Sequence, residues 1–174
     1  EQRINDCAGH GAFGIAGFLD QIYHIIEPDK GEESDQPGAE NTGQGGGIGA
    51  TLIKYIQSHY PGQLEILALG TNAIATSQMM KAGANRGASG ENAIVYTVAT
   101  ADLILGSISI TWANAMLGEV TPKMAEAIMS CAAMKILLPL TQEPVKLVGV
   151  VDEPLPHMVQ RAVDEKIKEV FGDV

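Results

Sequence analysis

Apolar positions along this chain fall into short blocks of two kinds, one at helical spacing and one continuous. Residues 50–59 repeat apolar side chains at helical spacing, and residues 64–69 form a short apolar run that Gly70 ends. A second helix is predicted over 72–82, with Thr71 as its cap and Gly83 as its stop. Residues 84–92 hold two glycines, two asparagines, Arg86 and Ser89, and predict a loop. Residues 93–98 and 102–106 predict strands, and 110–133 a mostly helical stretch interrupted at Gly118 and Pro122. Thr121 before Pro122 reads as a cap followed by the first helical position. Residues 135–139 and 145–151 predict two more strands, and 156–171 a closing amphipathic helix. Short apolar strands alternating with helices predict an α/β fold, a Rossmann-like three-layer sandwich around a mainly parallel sheet.

The first forty residues break this rhythm. Ile15, Phe18, Leu19, Ile22, Ile25 and Ile26 predict an amphipathic helix over 12–26. Gly9, Gly11, Gly14 and Gly17 crowd its start, and each glycine inside a helix costs about 1 kcal/mol relative to alanine. Residues 27–40 are rich in Glu, Asp, Gly and Pro and predict a solvated linker. The chain therefore divides into an acidic, glycine-rich segment over 1–41 and a single α/β domain over 42–174, whose N-terminal strand is missing or atypical. Residues 21–26 are one candidate for that strand.

Charge sharpens the division. The net charge is −10 over 174 residues. Residues 1–40 carry nine acids and two bases, a net of −7. So acidic a chain argues against nucleic acid and anionic membranes as partners, since both need a basic face. No apolar run approaches the ~18 residues of a membrane-spanning helix, and no segment reads as a secretory leader. Two cysteines without a CxxC pair fit a reducing, cytoplasmic compartment. Cys7 and His10, with His24 nearby, have metal-like spacing but lack a second cysteine pair, so no metal site is expected.

The strongest chemical signal is the run Gly43, Gln44, Gly45, Gly46, Gly47, Ile48, Gly49, which leads straight into a predicted helix. Phosphate oxygens reach backbone N–H groups closely only where side chains are absent, and a helix start adds a favourable dipole. With Thr42 the run reads T-G-x-x-x-G-I-G, which resembles the cofactor motif of short-chain dehydrogenases. It is no Walker A loop, because no Lys-Ser or Lys-Thr follows. Three features depart from a dehydrogenase. Residues 36–41 are polar where a strand should precede the loop; the next strand ends in Gly70-Thr71-Asn72 without an acid for a ribose hydroxyl; and no Tyr is followed by Lys four residues later. The expected ligand is a small phosphorylated molecule, with NAD(P) or another nucleotide as the cofactor class.

Five blocks carry a wider resemblance: G-Q-G-G-G-I-G, A-L-G-T-N-A-I-A-T, K-A-G-A-N-R-G-A-S-G-E-N-A, M-L-G-E-V-T-P-K-M-A-E-A-I and D-E-P-L-P-H. In this order they resemble a small bacterial family of conserved proteins of unknown function, from about Gly43 to the C-terminus. The resemblance implies a Rossmann-like fold and brings no established activity. Members open with a strand like K-I-x-V-I-D before the glycines, where this chain has Gly38-Ala-Glu-Asn-Thr42.

Other candidate residues follow from placement. Thr71 and Asn72 follow a predicted strand, so they belong to the crevice at the strands' carboxyl ends. Arg86, the only arginine between Arg3 and Arg161, is a candidate anion clamp. Asp152, Glu153 and His157 are weak candidates for acid–base catalysis, with helix capping as the plainer role. Trp112 and four methionines between Met116 and Met134 read as core or subunit contacts. Three functional readings result: a nucleotide or phosphate binder, with NAD(P)-dependent oxidoreductase as its redox form; a non-enzymatic sensor or accessory subunit acting through protein contacts; and a phosphotransfer or hydrolytic enzyme. A homo-oligomer is the base expectation for a small α/β protein.

Overall fold

A computed structural model describes residues 22–27 and 47–171. Five strands form one parallel sheet: β1 (Ile22–Glu27), β2 (Glu65–Gly70), β3 (Arg86–Ser89), β4 (Leu103–Ser107) and β5 (Met134–Leu138), in the order β3-β2-β1-β4-β5. The helices are α1 (Ile48–His59), α2 (Ala73–Lys81), α3 (Glu91–Thr97) and α4 (Pro122–Ser130). At the C-terminal end α5 (Leu155–Arg161) continues through a π-helical stretch, Ala162–Ile167, into α6 (Lys168–Phe171). The α/β class and the parallel sheet are those expected from the sequence.

Alternation along each strand sends side chains to two cores. Ile66 and Ala68 of β2 and Leu103 and Leu105 of β4 face Leu52, Ile53 and Ile56 of α1, Met79 of α2, and Val159, Val163 and Ile167 near the C-terminus. Leu69 and Ile104 face the other way, against Ile94 of α3, Val98, Ile110, and Met124 and Ile128 of α4. Helices thus cover both faces of the sheet. Trp112 packs against the second core, half-buried.

The first strand is the atypical one. Over the described part of 12–26 the expected helix is replaced by β1, which lies one residue from the alternative placement at 21–26. The run Ile-Tyr-His-Ile-Ile is β-branched and aromatic, and a short apolar run does not distinguish helix from strand by period alone. β1 pairs with β2 from Ile22↔Glu65 to Glu27↔Gly70, and with β4 from Tyr23↔Leu103 to Ile26↔Gly106. The sheet therefore reaches back to Ile22, ahead of the boundary expected at 41–42.

Three more expectations are corrected. The loop expected over 84–92 contains edge strand β3, whose Arg-Gly-Ala-Ser has little strand propensity and is held by pairing with β2. The strand expected over 93–98 is α3, because Ile94 and Val98, four residues apart, both enter the second core. The strand expected over 145–151 does not form, and Val148 and Val151 are exposed. Within 110–133 only α4 is a regular α-helix; Thr121 Oγ1 accepts from Met124 N and Pro122 opens the first turn, as expected.

Two glycines let α2 lie directly on the sheet. A Cβ on Gly70 would land on Thr76 Oγ1 and 2.7 Å from the Asn72 carbonyl oxygen. A Cβ on Gly87 would lie 2.8 Å from Met80 Sδ and 2.9 Å from Thr76 Cγ2. Met80 is flexible and can yield, whereas the backbone under Gly70 cannot. Gly70→Ala is expected to cost about 3 kcal/mol and Gly87→Ala about 1 kcal/mol in urea denaturation; equal losses would show that α2 shifts as a unit.

Candidate functional site

The strand order reverses once in the sheet. Strand β1 lies between β2 and β4, so the order reverses there, and in open α/β sheets ligands sit outside the carboxyl ends at such a point. Helix α1 packs over β1 and β4 and, running back against the strands, starts at that edge. Gly43, Gln44, Gly45 and Gly46 lie outside the described residues. Gly47, at φ 43°, precedes the helix, and Ile48, Gly49 and Ala50 are buried. The first intrahelical bond runs from Thr51 N to Gly47 O at 3.2 Å. The N–H groups of Ile48, Gly49 and Ala50 precede it, and among the described residues no side chain caps them and no acid sits in the first turn.

Next to this edge is Ser107, the last residue of β4. It is paired with Leu138 and, by alternation from Leu103 and Leu105, points to the face that α1 covers. Its side chain is buried at 2% exposure, and among the described residues its hydroxyl has no hydrogen-bond partner. A buried hydroxyl left unmatched costs about 1–3 kcal/mol.

On the other side of β1, Thr71 and Asn72 follow β2. Asn72, not Thr71, caps α2: its Oδ1 accepts from Ile74 N at 2.9 Å and Ala75 N at 3.0 Å. Its Nδ2 donates to both carboxylate oxygens of Glu119, at 3.3 and 3.4 Å. Thr71 Oγ1 donates to Glu119 Oε2 at 2.5 Å. Gly90 N donates to Gly70 O at 2.9 Å and ties the end of β3 to the end of β2. Glu91 begins α3; the Thr121 hydroxyl, helped by Lys123 and opposed by partial desolvation, holds its carboxyl below the usual glutamate range. Three segments far apart in the sequence thus meet at one edge: 70–72, 89–91 and 119–123.

Arg86 is not brought to this edge. It opens β3 at the opposite end of the sheet and pairs with Glu65, which opens β2, at 2.5 Å. A four-residue strand spans roughly 13 Å, too far for the Arg86 guanidinium to join Thr71 and Asn72 while it holds Glu65. Glu153 pairs with Arg161 at 2.6 Å and raises the guanidinium's pKa, while Asp152 and His157 are exposed. Pro154 precedes α5, so neither Asp152 nor Glu153 caps it, and His157 lies in its first turn. Glu119 and Ser107 were missed by reading the sequence. Glu119 stands in a Gly-Glu-Val stretch that resembles any turn, and Ser107 in an apolar run that reads as core.

Residues 42–171 match the family model described as Domain of unknown function (DUF3842). The chain belongs to that family. No curated protein matches the sequence. The match begins at Thr42, so β1 lies ahead of the region the DUF3842 domain model covers. Among the described residues no group of His, Cys, Asp and Glu is placed to hold a metal, and no helix is long and apolar enough to cross a membrane.

The Glu91 contacts give a titration with a definite sign. Its folded pKa is depressed, so its contribution to stability is present above the unfolded value and is lost as pH falls through the folded one. A carboxyl-resolved NMR titration should place Glu91 below an ordinary glutamate in the native chain and move it upward in Thr121→Val. That variant also loses the α4 cap, at about 1 kcal/mol. An unmoved midpoint would show that Thr121 does not set it.

Proposed function

We propose that this protein binds a nucleotide or another small phosphorylated molecule, with its phosphate on the start of α1 and on the glycines Gly43, Gly45, Gly46, Gly47 and Gly49. The observation that carries this reading is the start of α1 at the reversal of strand order, where among the described residues no side chain caps the first N–H groups and no acid sits in the first turn. Ser107, buried beside that edge and without a hydrogen-bond partner among the described residues, supports it as a donor for the same ligand. Binding by itself makes the protein a sensor or accessory subunit, acting on partners through exposed apolar residues such as Leu117 and Tyr96. An NAD(P)-dependent oxidoreductase would need a proton donor other than the Tyr and Lys pair that the sequence lacks. Cys131 is a free thiol, in keeping with action in the cytoplasm.

The test is a melting panel with inorganic phosphate, ATP, NAD, NADP and ADP-ribose. A ligand at about 100 times its dissociation constant adds ~2.7 kcal/mol, a shift of a few degrees. Gly47→Asp should abolish the shift by placing a carboxylate at the helix start. Ser107→Ala is the gentler control: it should keep or raise the melting temperature of the free protein, because it removes an unmatched buried hydroxyl, while weakening the ligand. A panel with no shift for the native chain would overturn the reading.

A further inference from the structure

Residues 145–151 form no strand, yet they keep a strand's composition. Four of the seven are valines, and all four are exposed, Val148 fully. Single exposed apolar residues are ordinary on a folded surface, whereas a cluster this dense marks a contact surface. The segment leaves the sheet at the carboxyl end of β5 and leads into α5.

Both of its ends are anchored. Ahead of it, Glu143 Oε1 accepts from Met116 N at 2.7 Å, and Pro144 follows. Behind it, Glu153 holds Arg161 at 2.6 Å, and Pro154 stiffens the entry to α5. Between the anchors the chain turns at Val148 and Gly149, with Gly149 at φ 86°. Among the described residues, none from Lys146 to Asp152 takes part in a hydrogen bond or an ion pair. The segment thus carries unpaired backbone groups, as an edge strand does, and two exposed charges with no counterion from the described residues.

Its own chemistry selects the occupant. The run Lys146-Leu-Val-Gly-Val-Val-Asp152 is apolar for two positions on each side of Gly149 and ends in opposite charges. A two-fold axis at Gly149 sets each position against its mirror in a second copy. Val148 then meets Val150, Leu147 meets Val151 and Lys146 meets Asp152, each pairing made twice. Opposite charges face each other at both ends, and like charges at neither. At the axis, a Cβ on Gly149 would meet nothing within 4 Å, so the space in front of its backbone is open.

We propose that residues 146–152 are a self-docking surface, where two copies of this chain meet antiparallel about a two-fold axis at Gly149, with Lys146 of each against Asp152 of the other. Leu117, fully exposed and next to the Met116 that Glu143 holds, widens the apolar area. A standard interface takes about 20–30 residues per partner, so this one is small and the dimer is weak, with a dissociation constant on the order of 10 μM.

Sedimentation velocity of the full chain over about 1–500 μM, without ligand and with reductant present, tests this. The native chain should pass from monomer to dimer across that range. Lys146→Asp sets like charges together at both ends of the contact and should raise the dissociation constant at least about tenfold, as should Asp152→Lys. The double reversal, Lys146→Asp with Asp152→Lys, restores opposite charges at both places and should recover the native value to within about threefold. Val148→Asp should leave only monomer. All three positions are exposed and unbonded within the chain, so each variant should melt as the native monomer does. A native chain that stays monomeric, a dimer that ignores Val148→Asp, or a double reversal that fails to recover what the single reversals lose overturns the proposal. Because no ligand is present, the outcome is separate from that of the phosphate reading.

Discussion

The sheet depends on the pairing of β1. Strands β3 and β2 lie on one side of it and β4 and β5 on the other, so every hydrogen bond that joins the two halves runs through Ile22–Glu27. Parallel sheets need cover on both faces. Without β1 the described strands would be two pairs, with the edges of β2 and β4 open. The crevice has the same origin, since strand order can reverse only around a central strand. Helix α1 packs over β1 and β4, so the start of the helix and the end of β4 are held at that edge together.

Burial on the two faces explains why the rest tolerates an unusual first strand. Ile66, Ala68, Leu103 and Leu105 on one face, and Leu69 and Ile104 on the other, are nearly inaccessible to water. Each buried leucine or isoleucine among them contributes about 1.5–3 kcal/mol, so β2 and β4 are held by their cores as well as by their edges. Edge strand β3 is the opposite case. It has little apolar content, and its place is fixed by pairing with β2 and by the absence of side chains at Gly87, where α2 approaches.

What could be read in the sequence follows the same physics. α1, β2, α2 and β4 were legible because each carries a clear period and a stop signal, such as Gly83 after α2. The Thr121 and Pro122 start of α4 was legible because capping chemistry is local. β3 and α3 were not, because Arg-Gly-Ala-Ser becomes a strand only through its neighbour, and Ile94 and Val98 are strand-like residues that a tertiary core draws into a helix. The candidate site divides along the same line. Asn72 as a cap is local and nearly readable, one residue from the Thr71 expected. Arg86 beside Glu65 depends on the register of two strands, and Glu119 beside Thr71 depends on a contact between residues 48 apart in the chain.

The exchange of an expected cation for an observed carboxylate reverses the charge at the end of β2. Arg86 would have made the end of β2 attractive to anions, but it sits at the far end of the sheet. Glu119 and Glu91 instead make the β2–β3 side acidic, with Lys123 beside Glu91 at 3.5 Å. The α1 side has N–H groups and a positive dipole end, and no acid in its first turn. At physiological salt charges are screened beyond ~8 Å, so the net charge of −10 does not decide binding at either place. Local groups do, and they differ in sign across the central strand: a positive dipole end at the start of α1, and the carboxylates of Glu119 and Glu91 beside the end of β2.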